Sequence, residues 1–142
     1  MILLGCDPGY RHFGVVLVET NGEGKPKVLR RATLKNGSIK QWQSGIPELL
    51  RKLGEVMNTV ERIDGAGVEM ISWYGKRRGS LQLAHLAGAT LGYLFQGGIA
   101  TVRFYTPKEV KTMSAQFPGP KGFDEHQTDA LSICRLLVAS GC

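Results

Sequence analysis

The 142-residue sequence predicts an α/β fold, a mixed sheet flanked by helices. Three observations predict it. Runs rich in β-branched residues recur through the first 34 positions, separated by turn signals. Apolar residues then recur at helical spacing from about 45 to 63. A strand, helix, strand succession follows over 65–105, the pattern of a parallel crossover.

Taken in order, "ILLGC" (2–6) and "FGVVLVE" (13–19) read as strands, and "NGEG" (21–24) as a turn into a third strand near 27–34, which makes an antiparallel meander. Ile46, Leu49, Leu50, Leu53, Val56, Met57 and Val60 line one face of an amphipathic helix that covers the sheet. "GAGVEMI" (65–71) is a short strand, residues 80–96 a second helix and "IATVRFY" (99–105) a fifth strand. "TPKE" (106–109) opens the next helix: Thr106 caps, Pro107 suits the first helical position, and Glu109 completes a capping box. In "DEHQ" (124–127), Asp124 can cap the last helix by accepting from its orphan N–H groups, with Gln127 three residues on for a box; the alternative is that Asp124 serves as an extra ligand. The Pro/Gly-rich "FPGPKG" (117–122) is a loop rather than a boundary, so residues 1–142 form one domain.

A chain of this length buries roughly 68–70% of its unfolded surface and needs no staple. Cys6, Cys134 and Cys142 are too far apart for a zinc or redox pair, and their odd number argues against a disulfide framework. Asp7, Arg11 and His12 interrupt the N-terminal apolar run, and no stretch reaches the ~18 apolar residues of a membrane span. The expectation is a cytoplasmic protein with no membrane partner.

The formal charge is +6. Residues 70–123 carry Lys76, Arg77, Arg78, Arg103, Lys108, Lys111 and Lys121 against Glu109 alone, while the remaining 88 residues balance. A polyanionic partner, nucleic acid, is the reading this favours over a merely solvated face.

Asp7 ends the first strand, inside "DPG". Asp, Pro and Gly in succession make a tight turn, for which Pro8 presets φ and Gly9 tolerates positive φ. Two further carboxylates give Asp7 another use. Glu69 stands in an otherwise apolar strand, and His126 and Asp129 lie three apart on one helix face. A carboxylate in a buried strand is costly unless paired or bound to a cation, and two like charges ~4 Å apart repel by about 4 kcal/mol at an effective dielectric near 20. Oxygen ligands with one imidazole suit Mg²⁺ or Mn²⁺, and two such ions ~3.5–4 Å apart serve phosphodiester hydrolysis.

"LLGCDPGYRHFGVVLVE", "GVEM" before the long helix, "YTPKEVK" and "HQTDALSI" together resemble, in order, the motifs of RuvC-type Holliday-junction resolvases of the ribonuclease H-like superfamily. The resemblance implies a five-stranded mixed sheet with helices on both faces. It implies a homodimer that binds four-way and other branched DNA and nicks paired strands with two Mg²⁺ or Mn²⁺ ions per site, leaving 5′-phosphate and 3′-hydroxyl ends. By position, Asp7, Glu69, His126 and Asp129 would be the metal ligands and Lys111 the basic residue near the scissile phosphate. Lys76, Arg77, Arg78, Lys108 and Lys121 would contact DNA. Ala84, Gly88 and Gly92 permit close approach along the second helix, either inside the chain or, as the resemblance implies, between two copies. His12 follows the turn as a candidate phosphate ligand, and His85 reads as a packed or interface side chain.

Two departures mark this chain. Where the family places a wedging Phe stands Ser72, with Trp73 and Tyr74 next, either as candidates to stack on a base or as buried strand-end aromatics. Only 14 residues separate Lys111 from His126, which points to a compact phage- or viral-type resolvase in a bacterial or phage-infected cell. The alternatives are an RNA-processing nuclease of the YqgF kind and a non-catalytic nucleic-acid-binding module with structural carboxylates.

Overall fold

The computed structural model describes residues 1–23, 25–36, 42–70 and 78–142. Among these, nine elements follow in order: β1 (Ile2–Asp7), β2 (His12–Glu19), β3 (Lys27–Lys35), α1 (Trp42–Met57), β4 (Gly65–Glu69), α2 (Arg78–Gln96), β5 (Val102–Tyr105), α3 (Pro107–Gln116) and α4 (Glu125–Ala139). The strands form one sheet in the order β3-β2-β1-β4-β5. β1 and β2, like β2 and β3, are antiparallel, whereas β4 is parallel to both β1 and β5. β1, β3, β4 and β5 therefore all end at the same edge of the sheet, where β2 begins.

Strand side chains alternate between faces, and the core splits accordingly. Leu4, Cys6, Phe13, Val15 and Leu17 face α1 and α2, packing on Leu49, Leu53, Leu86 and Leu94. Leu3, Val16 and Val18 face the other way, onto Val110 of α3 and Leu131, Ile133 and Leu137 of α4. Helices on both faces of a five-stranded mixed sheet are the architecture the sequence predicts.

Three strand glycines set how closely α4 lies. A Cβ on Gly5 would sit 2.0 Å from the Ala130 carbonyl oxygen, one on Gly14 2.2 Å from that of His126, and one on Gly67 2.4 Å from Ile133 Cγ2. Gly5 and Gly67 are paired neighbours on β1 and β4, Gly14 lies diagonally from them on β2 opposite Asp7, and α4 rests in the trough they leave.

Several boundaries differ from the sequence reading. The first helix ends at Met57, not 63, because the chain turns at Asn58–Thr59; Val60 still packs on the core, but from a turn. β4 ends at Glu69, and β5 starts at Val102 because Gly98 takes a positive φ of 85° and Ile99 plugs the core ahead of the strand. Gly9 does not adopt positive φ; its Cβ would lie 2.5 Å from the His12 carbonyl oxygen, so sterics rather than dihedral freedom call for glycine there. The "NGEG" turn is described except for Gly24, and Gly22 supplies the positive φ of 87°. Cys6, Cys134 and Cys142 are free thiols, the first two buried. Among the described residues no helix is long and apolar enough to cross a membrane.

Candidate active site

Asp7 is the last residue of β1 and Glu69 the last of β4, neighbouring strands in parallel register. Glu69 therefore stands at the sheet edge, half-buried, rather than inside the strand. Asp129 projects from the second turn of α4 and is 5% exposed. One carboxylate oxygen from each of the three lies within 4.8 Å of the others.

The turn between Asp124 and Asp129 is fixed by its cap. Asp124 Oδ1 accepts from the Gln127 N–H at 2.8 Å while Oδ2 accepts from the Thr33 hydroxyl, so Asp124 caps α4 and ties it to β3. Gln127 does not complete a box. Its side chain donates to Thr33 Oγ1 at 3.1 Å and accepts from Arg31 Nη1 at 2.7 Å. Arg31 also donates to the Gly122 carbonyl at 2.5 Å and stacks over Phe123 at 4.6 Å, which fastens the loop leading into α4. At α3 the capping box is complete: Thr106 Oγ1 accepts from the Glu109 N–H, and the Glu109 carboxylate accepts from the Thr106 N–H at 2.7 Å.

Asp129 and Asp7 are also held by their neighbours. Asp129 Oδ2 is 2.6 Å from Lys111 Nζ, and its Oδ1 accepts from the Ser114 hydroxyl at 2.9 Å. Lys111 also reaches Glu125 at 3.2 Å. Asp7 Oδ2 lies 3.2 Å from His126 Nδ1, and the His126 ring stacks on His12, centroids 5.1 Å apart and planes 8° off parallel. His126 thus joins the site through Asp7, at the margin of the three-carboxylate group. Sequence reasoning missed Ser114, Glu125 and the His12 stack; the i, i+3 spacing of Lys111 and Ser114 was the available signal.

Burial pushes the Asp7 and Glu69 carboxyls well above the ordinary carboxylate range. For Glu69 the Asp7 charge adds to the rise, and the hydrogen bond between the two favours a proton kept on Glu69. The pair therefore holds a proton well above the pH at which an ordinary carboxyl releases it. Such a set, crowded, acidic and reluctant to ionise, fits a hard divalent cation, which relieves both the repulsion and the desolvation.

A stability prediction follows. A carboxyl whose folded pKa is raised stabilises the fold fully below its unfolded value, about 4, and loses that contribution as pH rises through the folded value. In EDTA the melting temperature is expected to fall from pH 5 to pH 8, less so in Asp7→Asn, where one of the two groups is gone. Added Mn²⁺ should raise it more at pH 8 than at pH 5, since ligands must lose protons to bind. Identical pH profiles for wild type and variant in EDTA would contradict the electrostatics above. Separately, Ser114→Ala removes a hydrogen bond to a buried carboxylate and is expected to cost about 1–2 kcal/mol in urea unfolding. Lys111→Met, with a half-exposed ammonium, should cost about 1 kcal/mol.

The basic residues of 70–123 divide. Lys108, Lys111 and Lys121 are exposed, on α3 and the loop that follows it. Arg103 instead donates to the Ser140 carbonyl at 2.6 Å, a cation at the carboxyl end of α4, so it does not belong to a substrate face. Trp73, Tyr74, Lys76 and Arg77 lie outside the described residues, and Arg78 opens α2. On α2, Ala84, His85, Gly88 and Gly92 are exposed, and a Cβ on either glycine would meet nothing within 4 Å. The small-residue spacing therefore does not serve packing within the described chain.

A mixed sheet of this order, with acids converging at the carboxyl ends of its two central parallel strands and on an adjoining helix, defines a ribonuclease H-like fold with a candidate metal centre. No protein-family model and no curated protein sequence matches the chain. Among solved structures, Thermus thermophilus RuvC in complex with a Holliday junction substrate superposes with a TM-score of 0.81 at 22% identity, covering 99% of this chain and 97% of that one. A second Thermus thermophilus RuvC structure gives 0.74 at 24% identity, over 94% of this chain and 90% of that one. The yeast mitochondrial Holliday junction resolvase gives 0.56 at 13% identity, over 98% and 77%. The fold is the RuvC form of the ribonuclease H-like architecture, over nearly the whole chain.

Proposed function

We propose that this protein is a metal-dependent, structure-selective endonuclease that resolves four-way and other branched DNA junctions by paired nicks. The observation that carries the proposal is the convergence of Asp7, Glu69 and Asp129 within 4.8 Å on the fold of a protein solved with a Holliday junction. Asp7, Glu69 and Asp129 would hold the cations, with His126 at the margin. Two bound Mg²⁺ or Mn²⁺ ions would supply a water nucleophile at neutral pH and neutralise charge on the attacked phosphate.

The chain's own groups do the rest. Asp7, accepting from Glu69, also lies within hydrogen-bond reach of His126 Nδ1 and so orients that ring. Ser114 and Lys111 hold Asp129 in one rotamer. Lys108 and Lys121 draw in the phosphate backbone, and hydrolysis leaves 5′-phosphate and 3′-hydroxyl ends.

A four-way junction has two-fold symmetry, which a dimer matches. The exposed face of α2, with Leu81 and Phe95 64% and 51% accessible around Gly88 and Gly92, is where two copies would meet. Gly88→Leu is expected to leave a folded monomer by sedimentation; an unchanged sedimentation coefficient would remove α2 as the contact.

The deciding experiment incubates purified protein with a labelled four-way junction and a linear duplex of the same sequence, with Mg²⁺ or with EDTA. Symmetric nicks in the junction only, and only with Mg²⁺, are expected. Equal cutting of the duplex defeats structure selectivity, cutting of structured RNA in preference to DNA favours the RNA-processing alternative, and binding without cutting favours the non-catalytic module.

A further inference from the structure

A second basic run is hidden by the balance of charges outside 70–123. Residues 24–47 contain six Lys or Arg and no Asp or Glu. Among its described residues, Lys35 is the last residue of β3, an edge strand that runs in the same direction as β1. It therefore emerges at the sheet end that carries Asp7 and Glu69.

The register locates it more closely. Asp7 pairs with Gly14 and Gly14 with Thr33, so Lys35 lies two strands across from Asp7, roughly 10 Å, and two residues further out, about 6–7 Å. Its cross-strand partner is His12, and paired residues point to the same face of a sheet, here the face covered by α4. Lys52 of α1 comes to the same corner, its Nζ donating to the Lys35 carbonyl at 2.8 Å, and exposed Arg11 precedes His12. Lys108 and Lys111 stand on the opposite flank, on the helix that follows β5.

Cationic side chains thus reach this strand end from both faces of the sheet, a concentration of charge that an anion would relieve. The Arg31 guanidinium, committed to Gly122, Gln127 and Phe123, is not part of this corner. Resting on the reading of this protein as a branched-DNA nuclease, we infer that Arg11, His12, Lys35 and Lys52 form a second phosphate-binding flank, which grips the DNA strand leaving the cleavage site on the side away from Lys111. The carboxylates then lie between two cationic flanks, and the strand is held on both sides of the bond to be cut.

The test is the salt dependence of binding a labelled four-way junction in EDTA, where no strand is cut, between 50 and 200 mM KCl. Removing one lysine–phosphate pair lowers the slope of log K against log salt by ~0.9, which at 100 mM amounts to as much as about eight-fold in Kd. Lys35→Ser/Lys52→Ser is expected to lower the slope by about 1.8. Arg62→Ser, which removes a cation paired with Asp64 near the opposite end of the sheet, should leave it unchanged. Because Lys52 also ties α1 to β3, Lys35→Glu is measured alongside; as an exposed single change it keeps the fold and should weaken binding further than Lys35→Ser.

A wild-type slope in the double variant and in Lys35→Glu overturns the inference. So does a variant that self-associates with unchanged slope, since lysine on an edge strand also serves to block pairing between sheets. If wild type binds linear duplex as well as junction, the structure-selective reading fails, while the slope change on that duplex still reports whether this flank holds phosphate.

Discussion

Asp7→Asn is expected to abolish strand cleavage, by on the order of 10³-fold or more, while the affinity for a four-way junction changes less than about three-fold. The asymmetry follows from where Asp7 stands. It ends β1 between Glu69 and His126, and its side chain is only 14% accessible, so it does not lie on the surface that meets the phosphates. An amide of the same shape fills the same space and keeps one acceptor oxygen, but it gives up the charge that would hold a cation, and the several kcal/mol of transition-state stabilisation that the cation would supply goes with it. The same change removes one of two carboxyls that repel each other in the metal-free protein. Asp7→Asn should therefore melt no lower than wild type in EDTA at pH 7.5, and lose most of the Mn²⁺-induced rise. Cleavage at more than a tenth of the wild-type rate would mean that the three-carboxylate group is structural. Loss of junction binding with the fold intact would place Asp7 in the interface instead.

Much of this site is legible in the sequence because it depends on short-range patterns. The apolar run "ILLGC" and the turn after it place Asp7 at the end of β1, the i, i+3 spacing puts His126 and Asp129 on one face of α4, and "TPKE" and "DEHQ" announce the helix starts that orient Lys111 and Asp129. What the sequence hides are pairings between distant segments. Thr33 meets Asp124 across 91 positions, and Lys111 meets Asp129 across 18. Arg103 counts toward a basic segment in a linear tally, yet the fold turns it to the far end of α4. Lys35 counts toward a neutral remainder, yet the direction of β3 brings it to the carboxylates. Charge tallies along a chain fail here for one reason: a strand's direction, not its position in sequence, decides which end of the sheet its termini reach.

The glycines under α4 make the second large prediction. Gly5→Ala is expected to cost about 3 kcal/mol or more in unfolding free energy and to weaken Mn²⁺ binding at least ten-fold in the variant that still folds. The added methyl would lie 2.0 Å from the Ala130 carbonyl oxygen and 2.9 Å from Cys134 Sγ. Side chains yield to a methyl by changing rotamer, but a helix backbone yields only by moving, and α4 is pinned at its start by Asp124 and Arg31 and along its length by Leu131, Ile133 and Leu137. The helix must therefore lift near Ala130, the residue after Asp129, so strain introduced on β1 is delivered to a ligand on α4. Substituting alanine at Gly14, opposite Asp7 and against the His126 carbonyl, should act on His126 in the same way. Urea unfolding and a calorimetric Mn²⁺ titration measure the two effects. Wild-type stability in Gly5→Ala would show that α4 does not rest on bare backbone. Reduced stability with unaltered Mn²⁺ affinity would show that the carboxylate of Asp129 is placed by Lys111 and Ser114 alone. The trough matters chemically because a cation held by these carboxylates would tolerate little displacement of any of them, and only a glycine floor lets a helix bring its carboxylate that near to one borne by the sheet beneath it.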